Sequence, residues 1–219
     1  MIHHEPTMKQ NDHSICVKAI LRRLAQHYPD AACPFPLHPR FRLLVAVVLS
    51  AQCTDAKVLT VLPSLWKTYP MPCALAKARH PELERILRPL GLFRAKAKAL
   101  VGIARIETRI GIDWSMDGLT ALPGVGRKTA NVVLGVLDGR SPGIAVDTHV
   151  RRISQRLDWT KSENPIEIES DLMRIVPRSH WARLTNLLIA HGRAVCRARR
   201  PLCGACPIAD LCPSRSAER

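Results

Sequence analysis

Aromatic residues are scarce in this 219-residue chain: three Phe, four Trp and two Tyr, 4% in all. A core without large rings is filled by Leu, Val, Ile and Ala, and because these recur at helical spacing they favour an all-α protein. Negative charge is in short supply too. Eighteen Asp and Glu stand against 33 Lys and Arg, for a formal charge of +15 and an isoelectric point near 10.1. That balance suits a polyanionic partner, since each neutralised phosphate releases counterions, and nucleic acid leads. Charge alone leaves a merely soluble basic surface as the alternative.

Long apolar runs are also missing. The densest, Leu43–Leu49, is far below the roughly 18 residues of a membrane span, and the N-terminus has no apolar signal core. The expectation is a cytoplasmic protein with no membrane partner. In that compartment eight cysteines mean metal ligation or free thiols rather than disulfides. Cys16, Cys33, Cys53 and Cys73 are scattered, whereas Cys196, Cys203, Cys206 and Cys212 are clustered.

A chain of this length can bury roughly 70% of its unfolded surface, enough for one large or two small domains. Met1–His13 is polar and expected to fray, with Ser14 capping a first helix that carries Val17, Ile20, Leu21 and Leu24 and ends near Tyr28. Pro29, Pro34, Pro36 and Pro39 then make a crossing between domains. Helices are predicted over Phe41–Ser50, Thr54–Tyr69, Pro81–Arg88, Arg94–Ile110, Ser115–Leu122 and Arg127–Asp138, with Pro63 kinking or ending the second. Periodicity also allows a buried strand at LLVAVVL, but no partner strand is evident. Beyond Pro142, helices are expected at Asp147–Leu157, from Asn164 with Glu167 completing a capping box, and at His180–Gly192.

Within LTALPGVGRKTANVVLGVL one helix stops at Pro123, Gly124-Val125-Gly126 turns tightly, and a second helix opens at Arg127 or Lys128. Glycines let the backbone approach a ligand closely, and the new helix aims free N–H groups and its positive dipole end at an anion. This is a phosphate site in outline. Lys128 lies in that helix's first turn beside Arg127, where its amine is a candidate nucleophile. On chemistry alone Lys128 is either a nucleophile or a phosphate contact. Asp147 by itself reads as a helix cap.

The clustered cysteines follow C-x6-C-x2-C-x5-C. Zinc sites commonly use two close CxxC pairs, and here there is one, so spacing modestly favours an iron–sulfur centre. Arg193, Arg197, Arg199 and Arg200 flank or enter the first interval.

The string LPGVGRKTANVV, with VDTH at Val146–His149 and HGRAVC running into PLCGACPIADLC, closely resembles the endonuclease III family of helix-hairpin-helix, iron–sulfur DNA glycosylases. The resemblance extends from Ile15 to Cys212. It implies a two-domain all-α helix-hairpin-helix glycosylase fold with a C-terminal [4Fe-4S] loop: residues 1–14 disordered, 33–141 a six-helix domain, 15–32 plus 142–212 a cluster domain, and 213–219 a tail. It implies a partner, double-stranded DNA with damaged bases or abasic sites, and a monomeric enzyme associated with the nucleoid through DNA binding. The implied reaction is bifunctional: Lys128 attacks C1′ of the damaged nucleotide and displaces the base, forming an imine with the sugar that then undergoes β-elimination of the 3′ phosphate, with Asp147 assisting. Implied substrates are oxidised pyrimidines such as thymine glycol.

Further residues follow from the resemblance. LLVAVVLSAQCTD resembles the family segment whose glutamine fills the space left by an extruded base, here Gln52, with Asp55 lining the pocket. PLGLFRAKA resembles a wedge loop, assigning Leu92 and, less directly, Leu90, with core packing the alternative for both. Lys96 and Lys98 are assigned to backbone contact or solvent. Gly124, Val125, Gly126, Arg127, Arg193, Arg197, Arg199 and Arg200 are implied DNA contacts, and Cys196, Cys203, Cys206 and Cys212 the cluster ligands. Thr120 stands where the family often has Glu. An adenine glycosylase of the same superfamily and a non-catalytic iron–sulfur DNA-binding module are the rival readings; the first normally lacks this lysine, and Lys128 with Asp147 argues against the second.

Overall fold

A computed structural model describes residues 8–139 and 141–215. All regular structure among the described residues is helical, and no described helix is long and apolar enough to cross a membrane. The chain divides into two compact units, Pro34–Pro142 and Met1–Cys33 with Gly143–Arg219.

The continuous unit is built on α2 (Arg40–Leu49), whose Phe41 and whole Leu43–Leu49 run are buried. LLVAVVL is thus a helix apolar on nearly every face, so other helices surround it. Against it pack α3 (Asp55–Thr68), α6 (Phe93–Arg109) and α8 (Arg127–Asp138), while α4 (Pro72–Ala76) and α5 (His80–Leu87) pack on α6 and α7 (Met116–Thr120) on α8. Leu65, Leu75, Leu83, Leu87, Leu90 and Leu100 complete this core with no accessible surface. Pro63 does not end α3, which continues to Thr68. The carbonyl of Leu59 that loses its donor lies beside two solvent-exposed residues, Leu59 and Pro63, so water can satisfy it. The short α4 was not expected from periodicity; it is a single turn opened by Pro72, too short to display a repeat.

The discontinuous unit joins α1 (Met8–His27) to α9 (Thr148–Arg156), α10 (Pro165–Ile175) and α11 (Trp181–Ala194). Val17, Ile20, Leu21 and Leu24 of α1 pack with Val150, Ile153, Ile168, Leu172, Leu184, Leu187 and Leu188. The helix begins at Met8 rather than at Ser14: Lys, Gln and Asn extend a helix at small cost once its apolar turns are anchored. The fraying expected of Met1–Thr7 and the tail assigned to Ser216–Arg219 lie outside the described residues. Gly192 permits the close approach of α9 and α11, since a Cβ there would collide with His149 and Arg152.

The cap of α10 differs from a simple box. Asn164 Oδ1 accepts from Ile166 N–H at 2.9 Å, but Glu167 does not reach the Asn164 amide directly. Ser162 relays the contact, its hydroxyl accepting from Asn164 N–H at 3.0 Å and donating to Glu167 Oε2 at 2.6 Å.

Candidate functional site

In the continuous unit the turn before α8 is made by local bonds. Val125 N–H donates to Leu122 O at 3.2 Å, and the Val125 side chain is buried. Neither group is available to a ligand, so Val125 holds the hairpin rather than contacting DNA through its side chain or amide. Gly124 has φ +76°, and a Cβ there would sit 3.0 Å from Ala99 Cβ of α6, so it both turns and seats the hairpin. Gly126 stands at the N-cap of α8 in open space and offers no capping side chain. Arg127 and Lys128 follow in the first turn, both exposed. The geometry is an uncapped helix N-terminus carrying two cations, able to receive an anion.

Gln52 and Leu92 share an unusual backbone. Gln52 is exposed with φ +52°, in the loop between α2 and α3; Leu92 is 57% exposed with φ +58°, at the N-cap of α6. Non-glycine residues held in the left-handed region cost of order 1 kcal/mol or more, and such strain gathers at functional sites. By contrast Leu90 has no accessible surface. It belongs to the core, and the wedge reading is confined to Leu92. Asp55 is part-exposed in the first turn of α3. Thr120 turns its hydroxyl back onto Met116 O, 2.8 Å, and Asp117 O, 3.2 Å.

Lys96 departs from its expected role. It is 5% exposed, and its Nζ has no hydrogen-bond partner. Burial pushes its ammonium below the usual lysine range, with Cys53 acting more weakly in the opposite sense. A backbone contact or a solvated chain needs an accessible amine, so neither holds; Lys98 is exposed.

In the discontinuous unit Asp147 is the N-cap of α9, its Oδ1 accepting from Val150 N–H at 2.8 Å. No described hydrogen bond uses its other carboxylate oxygen. Further along α9, one turn apart, Arg152 and Arg156 reach the cysteine loop. Arg152 donates to Cys196 O at 3.0 Å. Arg156 donates to Cys196 Sγ at 3.1 Å, Arg197 O at 2.8 Å and Ala198 O at 3.0 Å. Sequence reasoning passed over both arginines. The available signal was their i, i+4 spacing after Asp147, which places both on one helix face. Arg193, Arg197, Arg199 and Arg200 are exposed, and Arg200 has φ +51°.

Cys196, Cys203, Cys206 and Cys212, all part-buried, line one pocket with Ile153, Leu157, Val195, Leu202 and Ile208. Burial raises the thiols of Cys206 and Cys212, while backbone hydrogen bonds from Ile208 and Ser214 act in the opposite sense. Four soft thiolate donors lining one largely apolar pocket suit an iron–sulfur centre. Behind the loop, burial first and His27 second lower the imidazole of His191 to about 4.

Residues 45–178 match the model of the HhH-GPD superfamily of base excision DNA repair proteins, and residues 196–212 that of the iron–sulfur binding domain of endonuclease III. The chain is 48% identical to endonuclease III of Synechocystis, covering 90% of this chain and 92% of that protein. It belongs to the endonuclease III family. Endonuclease III of Escherichia coli K12 is 38% identical, over 88% and 92% of the two chains. A solved trapped endonuclease III–DNA covalent intermediate superposes with a TM-score of 0.84 at 40% identity, covering 92% of this chain and 96% of that one. With family membership, the four cysteines are those of a [4Fe-4S] protein, and the superfamily places the chain in base excision repair.

Proposed function

We propose that this chain is a bifunctional DNA glycosylase and abasic-site lyase that removes oxidised pyrimidines from duplex DNA and then cuts on the 3′ side. The observation that carries this reading is Lys128, an exposed amine in the first turn of the helix leaving the glycine hairpin, in a member of a family with a trapped covalent DNA intermediate.

The lysine nitrogen attacks C1′, the glycosidic bond breaks, and the base leaves with the bonding electrons and takes up a proton. The ring oxygen then opens to give an imine between Lys128 and C1′. Loss of a proton from C2′ expels the 3′ phosphate, and hydrolysis frees the amine. Asp147 supplies negative charge to the sugar as positive charge develops, through the carboxylate oxygen its cap leaves unused. Gln52 and Leu92 fill the space left by the extruded nucleotide, and Asp55 lines its pocket. Gly124, Gly126, Arg127, Arg193, Arg197, Arg199 and Arg200 hold the phosphate backbone. Cys196, Cys203, Cys206 and Cys212 would hold the cluster, which would supply a rigid anchor for the arginine-bearing loop. We place the protein in the cytoplasm, at the nucleoid, acting as a monomer.

The test is a single-turnover reaction of the iron-loaded protein on a duplex with one thymine glycol, assayed with and without alkali. Free base together with strands already nicked before alkali is expected. Base release whose nicks appear only with alkali would make the enzyme a glycosylase without lyase activity and overturn the reading.

A further inference from the structure

His191, on α11, takes part in neither base excision nor phosphate contact, yet it touches the cysteine loop twice. Its ring is 1% exposed. Nδ1 lies 3.1 Å from the Tyr28 hydroxyl, and Nε2 lies 3.7 Å from Cys206 Sγ. Its main-chain carbonyl accepts the N–H of Cys196 at 2.9 Å. A single residue thus joins the first ligand through its backbone and the third through its ring. A leucine would fill similar space in this apolar core at lower desolvation cost, so the polar contacts need a purpose.

Donor and acceptor chemistry fixes the roles. A metal-bound thiolate has no proton and can only accept, so Nε2 carries the hydrogen. In a neutral imidazole Nδ1 must then accept, and Tyr28 O–H is its donor. Tyr28 packs edge-on to the imidazole, with centroids 5.8 Å apart at 60°.

We propose that His191 is a positioning residue for the iron–sulfur cluster: its Nε2–H bonds the Cys206 sulfur, Tyr28 locks that tautomer, and the bond sets the cluster's reduction potential. Hydrogen bonds to ligand sulfur favour the more reduced, more negative state and raise the potential. The inference rests on the iron–sulfur reading of the four-cysteine loop.

The test uses the full-length iron-loaded protein, with iron, sulfide and midpoint potential measured for wild type, His191→Leu, His191→Gln and Tyr28→Phe. At equal iron and sulfide, His191→Leu is expected to shift the midpoint to lower potential. Tyr28→Phe shifts it the same way by less, because the imidazole proton is no longer confined to Nε2. His191→Gln recovers part of the shift through its amide donor. Nitrogen-15 NMR of histidine-labelled wild type places the proton on Nε2, a readout that stands even if His191→Leu fails to fold. Unchanged midpoints in all three variants with clusters intact overturn the proposal, as does an Nδ1-protonated or doubly protonated His191. Wild type with no iron or sulfide overturns the cluster reading itself, and the proposal with it.

Discussion

A buried ammonium without an acceptor is a cost, and Lys96 carries one in the first turns of α6. Leaving such a group unpaired costs about 1–3 kcal/mol. Its folded pKa lies below the ordinary lysine value of 10.5. Between the two, the unfolded chain binds more protons, so stability rises with pH through that window and the full cost is present below it. Lys96→Met keeps the stem and removes the charge. We expect it to raise the urea midpoint by the equivalent of about 1 kcal/mol or more and to flatten the alkaline rise; an unchanged midpoint would mean that the amine is satisfied. Asp147 poses the opposite case, one carboxylate with two tasks. Asp147→Asn keeps an acceptor for Val150 N–H but removes the charge. Melting should stay nearly constant while single-turnover base excision slows about 10²-fold. Equal rates would leave Asp147 as a cap alone.

Helices carried most of the information that the sequence made legible, because amphipathic repeats and caps are local. Arg127–Asp138 begins and ends as its glycines specify, and Thr54, Asp147 and Asn164 cap the helices they were expected to start. What needed the third dimension was burial. Leu90 and Leu92, two residues apart, part company because one enters the core and the other holds a left-handed backbone in the open. Lys96 was misplaced for the same reason, since charge alone suggests exposure. Val125 sits in a motif read as a DNA contact, yet its side chain and amide are spent on the turn. The hairpin's geometry makes its own prediction. Gly124→Ala combines a strained φ of +76° with a Cβ 3.0 Å from Ala99, so it should destabilise the protein by about 1–2 kcal/mol in thermal melting. It should also weaken intact and lesion-bearing duplexes alike, because a displaced hairpin loosens backbone contact. Loss of lesion binding alone would assign the hairpin a role in reading damage.

For the molecule as a whole, the charge of +15 means that affinity should depend steeply on salt. Neutralising about five phosphates gives a log–log slope near −4.5. Converting Arg199 and Arg200 together to Gln should flatten that slope and weaken all duplexes similarly; a loss confined to lesion DNA would make these arginines readers of damage instead. The central claim, that an amine on the hairpin helix is the nucleophile, is tested most directly by borohydride reduction of the protein–DNA imine. Wild type should give a covalent adduct with thymine glycol duplex and with abasic DNA. Lys128→Ala should give neither adduct nor strand cleavage while still binding the lesion, because the backbone donors at the hairpin remain. Full trapping and base release by Lys128→Ala would put the nucleophile elsewhere and contradict the account.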